Sequence, residues 1–339
     1  MRLIHYILLF SSISSGGTPI NYAISFGAGY DDNVMRFSKN EIDESANQHD
    51  IMGNASTFDS YINRLKISAD KTITQMGKKS LVIRPRYSYS DYVNISDKQY
   101  WSGGLDILLR WGSYKNIKYS LRHLDKFYLR HYTDRDISID QLSACLFSDR
   151  NQGFTITHPL FKKSFINLGF GYLQRYYENP FQEFDIDIRY LKGKYNHRFK
   201  RFGTFAVQVN IGRAKSDSHH AVRPSSFDRS YRTIEWYSPI RWKKGVPYLN
   251  EIGLSIRSEN RLYDAEDLND PLRSGRSHLD SKLEVWMKKE IMDYVNVTLS
   301  TRYRKRSTNS EFSWVEDLKS FRQIQFWFNI QWELVYDNY

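Results

Sequence analysis

Cysteine is almost absent from this sequence, since Cys145 is the only one among 339 residues. An intrachain disulfide is therefore impossible, and we expect Cys145 to be a small packing residue. Long apolar runs are absent as well. None reaches the roughly 18 residues that a membrane-spanning helix needs, and the mean hydropathy is -0.61. These two absences exclude a disulfide-stabilised domain and a helical membrane protein.

Dense runs of lysine or arginine are also missing, although the formal net charge is +11. Because the charge is spread along the chain, we predict no nucleic-acid partner; an anionic solute or an anionic lipid surface fits better. Enzyme signatures are missing too. There is no Ser-His-acid order, no His-Glu-x-x-His motif and no phosphate-binding glycine loop. We therefore predict no enzyme, no cofactor and no metal site.

One histidine pair, His219 and His220, lies near Asp217 and Asp228 in a polar stretch. A metal site or a proteolytic pair would use these residue types. No nucleophile and no ligand spacing accompanies them. A solvated loop is the preferred interpretation.

Aromatic residues, in contrast, are abundant and make up 16% of the chain, with 25 Tyr and 20 Phe. The stretch from Arg322 to Tyr336 shows how they are arranged. Its alternating apolar positions are Ile324, Phe326, Phe328, Ile330, Trp332, Leu334 and Tyr336. A period of two predicts a β-strand rather than a helix. This strand is more than twice as long as the ordinary strand of about 5 or 6 residues.

Earlier segments alternate in the same way, so the sequence predicts about fourteen strands; twelve or sixteen would also fit. The connections alternate strictly between two kinds. The short ones lie near 73-79, 112-115, 161-164, 200-201, 243-247 and 290-292. The long, polar ones lie near 31-59, 92-99, 132-143, 178-183, 216-228, 263-277 and 306-320. A soluble β-sandwich has no reason to keep long connections at one end, so we predict an all-β fold, a closed antiparallel transmembrane β-barrel.

The N-terminus has the pattern of a secretory signal peptide. Arg2 precedes the apolar stretch 3-10 and the small-residue stretch 11-17. We expect a signal peptide over 1-17 and an outer-membrane β-barrel over 18-339. The alternative for this stretch is a buried first strand or helix. The expected location is the outer membrane of a Gram-negative-type bacterium.

Alternation also assigns the two faces of the barrel. The apolar face must contact lipid, with Tyr30, Trp101, Trp111 and Tyr336 in the interfacial regions. The charged face must line the lumen. Its predicted bases are Arg84, Arg86, Arg110, Lys118, Arg122, Arg175, Arg189, Arg257, Lys282, Lys288, Arg302 and Arg304. Its predicted acids are Asp106, Asp185, Asp187, Glu235, Glu251, Glu259, Asp280 and Glu284.

The final strand, which closes on an aromatic residue, resembles the C-terminal strand of bacterial outer-membrane β-barrels. In that family the insertion machinery reads this strand. The resemblance implies a membrane-insertion signal made of Phe328, Ile330, Trp332, Leu334 and Tyr336. The family usually ends on the aromatic residue itself, whereas three residues follow Tyr336 here.

The stretch 29-34, Gly-Tyr-Asp-Asp-Asn-Val, resembles the opening motif of surface lipoprotein assembly modifier barrels. That resemblance implies a role in lipoprotein export, but the tetratricopeptide region that precedes those barrels is absent from this sequence. Asp31 and Asp32 carry the oxygens that calcium prefers. No EF-hand spacing accompanies them, and an Asx turn at the end of the strand is the preferred interpretation.

Two functions follow from this layout. The first is a channel or transporter for small polar or anionic solutes, with the luminal bases as selectivity residues. The second is a non-conducting scaffold or secretion accessory barrel that binds a protein partner through loop 31-59. In the second case the luminal charges form cross-strand ion pairs that hold the barrel shape and pass nothing.

Overall fold

The computed structural model describes residues 18–45, 49–133, 142–200, 202–216, 228–243, 247–266 and 269–336. These residues form fourteen antiparallel strands in a closed barrel. The strands are β1 Ile20–Asp31, β2 Ser60–Met76, β3 Lys79–Tyr92, β4 Tyr100–Gly112, β5 Lys115–Thr133, β6 Leu142–Phe161, β7 Ser164–Tyr177, β8 Ile186–Arg198, β9 Gly203–Ser216, β10 Tyr231–Trp242, β11 Glu251–Tyr263, β12 Ser277–Met292, β13 Val295–Asn309 and β14 Phe321–Tyr336. The predicted fold class and strand number are confirmed.

Each strand pairs with its neighbours in sequence, and β14 pairs with β1 to close the ring. The seam between them runs from the pair Ile20–Tyr336 to the pair Asp31–Gln325, which is the full length of β1. Closure leaves no unpaired sheet edge, which a lipid environment requires because it offers no hydrogen-bonding partner. The long final strand that dominates the sequence is thus one half of this seam.

Short and long connections lie at opposite ends of the barrel. Only two residues separate β2 from β3, β4 from β5, β6 from β7 and β12 from β13. The opposite end carries loop 1 (32–59), loop 2 (93–99) and loop 7 (310–320) among others. Two short helices lie in these loops, α1 at Lys39–Glu44 and α2 at Ser313–Lys319. The two ends of the barrel are called the turn end and the loop end below.

Side chains alternate between the outside and the inside of the barrel along each strand. The outside carries exposed apolar groups around the ring, such as Phe26 (53% exposed), Leu168 (56%) and Leu299 (52%). An exposed apolar surface that encircles a closed barrel is suited to lipid rather than water. In the described residues, no helix is long and apolar enough to span a membrane.

β5 and β6 are the longest strands. In the half of each strand that lies near the loop end, the sequence does not alternate clearly between apolar and polar residues. The phase changes because β5 contains a bulge between Leu124 and Phe127, where Lys126 has φ +45°. A bulge puts two residues opposite one. A second register shift follows between Tyr128 and Arg130, so both of these residues face inward like Arg122. A proline cannot donate to a strand ladder, so the sequence predicts a bulge at Pro85 in β3. This prediction is wrong, because the register of β2 with β3 is the same on both sides of Pro85, from Ser68–Arg86 to Lys71–Ile83.

The predicted faces of β8 are also wrong, so Asp187 and Arg189 lie outside the barrel. Arg189 pairs with Tyr172 and precedes Leu191, which is 66% exposed. Tyr190 points inward, where its hydroxyl donates to Asn151 Oδ1 at 2.9 Å. Ile186 lies inside near the loop end, where it packs with Ala214 and Tyr231 of the neighbouring strands β9 and β10. Asp185, another predicted luminal acid, precedes the strand and accepts a hydrogen bond from the Tyr177 backbone.

Loop 1 folds into the barrel rather than away from it. α1 begins with a capping box between Ser38 and Glu41, which satisfies its first backbone N–H groups. The hydrophobic core that loop 1 forms with the inner wall consists of Val34, Met35, Phe37, Met52, Ile62, Tyr92, Ile95, Tyr128 and Trp327. Ile62, Tyr92, Tyr128 and Trp327 belong to four different strands, so the loop covers one side of the loop-end lumen.

Candidate functional site: the lumen

The inner wall carries most of the predicted luminal residues. Strand register places Arg84, Arg86, Arg110, Lys118, Arg122, Arg257, Lys282, Arg302 and Arg304 on this face, together with Arg175 and Lys288. Arg189 is the exception and lies outside. The acids Asp106, Glu235, Glu251, Glu259, Asp280 and Glu284 share the inner face. The barrel thus brings the two sets together.

Many of the arginines are neutralised by acids on neighbouring strands. Arg122 Nη2 lies 2.6 Å from Asp106 Oδ1, and Arg302 Nη2 lies 3.1 Å from Glu284 Oε2. Asp280 accepts from both Arg304 and Arg306, at 2.5 and 2.9 Å. These cross-strand ion pairs stabilise the barrel wall. They are the kind of pair that the second interpretation of the luminal charges, a ladder that holds the barrel shape, predicts.

Several inner-wall lysines have no such partner. Among the described residues, none of these lysines has a carboxylate oxygen within 4.0 Å of its Nζ. Lys192 and Lys194 lie on β8, and the charge of Lys118 on β5 acts on both of them. The unpaired set is Lys66, Lys118, Lys192, Lys194 and Lys282. Ion pairing therefore leaves an excess of positive charge on the wall.

Three of these lysines, Lys66, Lys192 and Lys194, are missing from the predicted luminal bases. The two on β8 were missed because the sequence analysis assigned the wrong face to that strand. Lys192 and Lys194 continue the alternation of Ile188 and Tyr190 on the inner face. The signal was present in the polar triplet Lys192, Lys194 and Asn196, which faces Asn167 and Gly169 of β7. Extending β8 to this triplet would have given the correct face.

A cavity of about 720 Å³ lies against this wall. Its inner-face lining is almost entirely polar and spans nine strands from β13 through β1 to β7. It includes Ser25, Lys66, Arg86, Ser88, Ser102, Arg122, Asp149, Asn151, Thr298, Asn329 and Gln331. The volume is in the range of ordinary small-molecule sites, roughly 300 to 1,000 Å³. Hydroxyl, amide and cationic groups at these positions suit a small polar or anionic solute.

The loop end carries a group of buried cations. Burial lowers the pKa of Lys98 to about 7, and the nearby Arg36 charge contributes. Burial likewise lowers the pKa of Lys319 to about 7, helped by Arg130 and Arg276. Burial lowers the pKa of Arg36 to about 9, with contributions from Arg304 and Arg306. Loops and inner wall thus meet in a strongly positive region.

The acidic residues of the stretch 29-34 tie loop 1 to the seam. Asp31 accepts from the backbone N–H of Asn33 at 3.1 Å, which is an Asx turn. It also accepts from the side-chain amides of Gln323 and Gln325. Asp32 accepts from the backbone N–H of Ile324 at 2.7 Å. The preferred interpretation of this motif, a turn at the strand end, agrees with these contacts.

The histidine pair of the sequence analysis falls elsewhere. His219, His220 and Asp217 lie outside the described residues. In the described part of the chain, no group of three or more His, Cys, Asp or Glu side chains has the arrangement to hold a metal ion. Cys145 is buried and is not part of a disulfide.

Replacing Phe37 with alanine is expected to release loop 1 from the lumen. Phe37 is 2% exposed; its ring packs at right angles to Phe58 and lies 5.0 Å from the Arg130 guanidinium. Removing a buried phenylalanine costs about 3 to 5 kcal/mol. We expect this loss of packing free energy to be enough to detach loop 1 from the inner wall. Protease cleavage of loop 1 in intact vesicles should accelerate. The matched control is Phe326→Ala on the outer face, and equal cleavage in both variants would contradict the packing described here.

A closed barrel with an apolar outside and a charged inside is a transmembrane β-barrel.

No protein-family model matches this chain, and no curated protein matches it. Solved structures resemble it in outline. OccAB4 of Acinetobacter baumannii has 8% identity and a TM-score of 0.46, with 95% of this chain and 100% of that chain covered. OccD3 (OpdP) of Pseudomonas aeruginosa has 8% identity and a TM-score of 0.44, with 94% of each chain covered. OpdK of Pseudomonas aeruginosa, solved with vanillate, has 8% identity and a TM-score of 0.40, with 94% and 99% covered. Likenesses this distant carry no argument about function.

Proposed function

We propose that this chain is an outer-membrane channel for small polar or anionic solutes in a Gram-negative-type bacterium. The observation that carries the proposal is the set of unpaired lysines on the inner wall of the barrel, of which Lys66 lines the luminal cavity. Positive groups on a low-dielectric wall raise the local concentration of anions and exclude cations. Paired arginines contribute less, because their fields are largely cancelled by acids at 2.5 to 3.1 Å.

The location rests on the same physical reasoning as the fold. An apolar belt of strands requires a bilayer, and a barrel satisfies its backbone hydrogen bonds there. We also propose that residues 1-17 are a signal peptide, in line with their composition. Residues 18-339 then form the mature barrel.

Single-channel conductance of the refolded protein in a planar bilayer tests the channel. Heat-dependent gel mobility first establishes that the barrel has folded. Steady conductance with a reversal potential of the anion-selective sign, in a salt gradient, is the expected result. A folded and inserted barrel without conductance would overturn the proposal.

The second candidate is a non-conducting scaffold or secretion accessory barrel. The burial of loop 1 in the lumen favours it, because that packing narrows the loop end. The resemblance of stretch 29-34 to the lipoprotein assembly modifier barrels points the same way. Partner binding through 31-59 would have to use the exposed part of the loop, since Val34, Met35 and Phe37 are buried. Electrical silence together with retention of a protein partner by loop 1 would favour this candidate.

The insertion signal in β14 is a separate proposal. Phe328, Ile330, Trp332, Leu334 and Tyr336 all face outward, and Leu334 is 39% exposed. If the insertion machinery recognises β14, Leu334→Ser should slow assembly of the barrel into membranes severalfold. The control is Leu168→Ser on β7, which removes the same outward-facing side chain from a strand outside the seam. Assembly kinetics with reconstituted insertion machinery decide the question, and equal slowing in both variants would contradict a signal specific to β14.

A further inference from the structure

A small, partly open cavity lies at the loop end, apart from the luminal cavity described above. Its volume is about 90 Å³, which exceeds the roughly 10 to 15 Å³ that one water molecule requires. Loop 1, loop 2, β5, β13, α2 and the first residue of β14 line it. The charged side chains that line it are Arg36, Lys98, Arg130, Arg306 and Lys319.

The lining has more positive charge than its acids neutralise. Arg130 Nη1 donates to both oxygens of Glu41, at 2.8 and 3.0 Å. Arg306 pairs with Asp280, which Arg304 shares. The cavity lining thus contains five cations, and two carboxylates neutralise them only in part.

The other three cations have weak partners. Lys98 Nζ donates to the Val34 backbone carbonyl at 3.2 Å and lies 4.5 Å from the Phe127 ring centroid. Lys319 Nζ lies 5.6 Å from the Tyr132 ring centroid. Arg36 Nε is buried without a hydrogen-bond acceptor. Buried charges of one sign without a counterion are strongly unfavourable.

We propose that this cavity binds one small inorganic oxyanion of the phosphate or sulfate class. A tetrahedral oxyanion offers several acceptor oxygens to guanidinium and ammonium donors, which form strong charge-assisted bonds to it. A carboxylate offers only two acceptor oxygens and fits this set of donors less well. The bound anion would join loops 1, 2 and 7 to the barrel wall. This site is independent of the channel, because its occupancy is measurable whether or not the lumen conducts.

Proton uptake accompanies binding in this arrangement. Arg36, Asp31 and Arg304 face Lys98, and its lowered pKa means that it is half neutral near pH 7 without an anion. Arg130, Arg276, Glu41 and Arg273 face Lys319, which behaves in the same way. An anion favours the charged form of both lysines and raises the pKa of each. Affinity is therefore high below pH 7 and falls as the pH rises above 7, because protons must then be taken from solution.

The experiment measures phosphate binding to the full chain, refolded in detergent micelles, at constant ionic strength balanced with chloride. Titration calorimetry gives the stoichiometry, and the thermal midpoint of unfolding gives an independent readout. The expected result is saturable binding of one phosphate per chain. For sulfate, whose charge does not change between pH 6 and pH 8, binding should be at least about tenfold tighter at pH 6 than at pH 8. Benzoate should not compete, because its carboxylate offers two acceptor oxygens rather than the four of a phosphate. Absence of saturable binding above the chloride background would overturn the proposal, and equal competition by benzoate would identify a general anion site instead.

Lys319→Met and Lys305→Met are the matched pair of variants. Lys305 lies between Arg304 and Arg306 in the sequence but on the outer face of β13. Loss of one charge-assisted contact should weaken phosphate binding by about tenfold or more in Lys319→Met and leave it unchanged in Lys305→Met. Without phosphate, Lys319→Met should be as stable as the parent or more stable, because it removes an uncompensated buried charge. Equal loss of binding in both variants, or destabilisation of Lys319→Met without phosphate, would contradict the site.

Discussion

Replacing Lys118, Lys192 and Lys194 together with glutamine is expected to remove most of the anion preference of the channel. Strand register places all three on the inner wall, with a carboxylate partner for none of them in the described residues. Their mutual repulsion is direct, since the charges of Lys118 and Lys192 both act on Lys194. A permeating ion within the Debye length of about 10 Å at 0.1 M salt feels this cluster.

The reversal potential in a salt gradient measures the effect. We expect the anion-to-cation permeability ratio to fall by about threefold or more for the glutamine variant. Glutamate at the same three positions should invert the sign of the selectivity. Unchanged selectivity in the triple variants would remove these lysines from the conduction path.

The control removes equal charge from the outside. Arg189, Arg213 and Arg232 lie in register on β8, β9 and β10, and all three side chains are exposed on the outer face. Their replacement by glutamine changes the net charge by the same amount as the luminal lysine variant. Because the barrel wall separates them from the lumen, selectivity should stay the same. A comparable shift in both triple variants would indicate a general charge effect rather than a luminal one.

Asp280→Asn is expected to give the largest loss of stability among substitutions of the inner wall. Asp280 is 5% exposed, and its carboxylate forms ion pairs with both Arg304 and Arg306. Removing its charge leaves two cations without a counterion in a region that already contains Arg36 and Lys282. Loss of one partner from a buried ion pair costs about 3 to 5 kcal/mol.

Urea unfolding in lipid vesicles, followed by tryptophan fluorescence, measures this loss. The control is Glu284→Gln, since Glu284 lies four residues after Asp280 on β12 and pairs with Arg302 of β13. That pair is more open, with side-chain exposures of 31% and 39%. Exposed pairs contribute about 0 to 1 kcal/mol, so this variant should remain close to the parent. Equal losses in the two variants would show that burial does not set the strength of these pairs.

The outline of the molecule was predictable because it depends on local patterns. Alternation in β14 and the strict order of short and long connections gave the barrel and its fourteen strands. Those signals repeat along the chain, so an error in one strand does not change the predicted number of strands. An example is β6, half of which shows no clear alternation in the sequence. The inner position of Arg122, Arg302 and their acids followed from the same alternation.

The predictions that failed concern positions where the adjacent strand determines which face of a strand points inward. In β8, the sequence shows alternation but not which phase faces lipid, since Ile186 and Tyr190 are as apolar as outward residues. Pairing with β7 decides it, because Gly171 leaves room inside for the Tyr190 ring. In β5, the two register shifts against β6 near Lys126 and Leu129 likewise interrupt the alternation locally.

What the sequence alone determined is the type of protein: a chain of alternating strands, without a spanning helix or a disulfide, whose apolar face needs lipid. Only the tertiary structure decided which charges neutralise each other and which stay free. It also decided that loop 1 folds inward onto Trp327 and Tyr128. The physical reason is distance along the chain. Alternation is a property of adjacent residues, whereas the meeting of Lys98, Lys319 and Arg36 requires segments that only the closed barrel brings together.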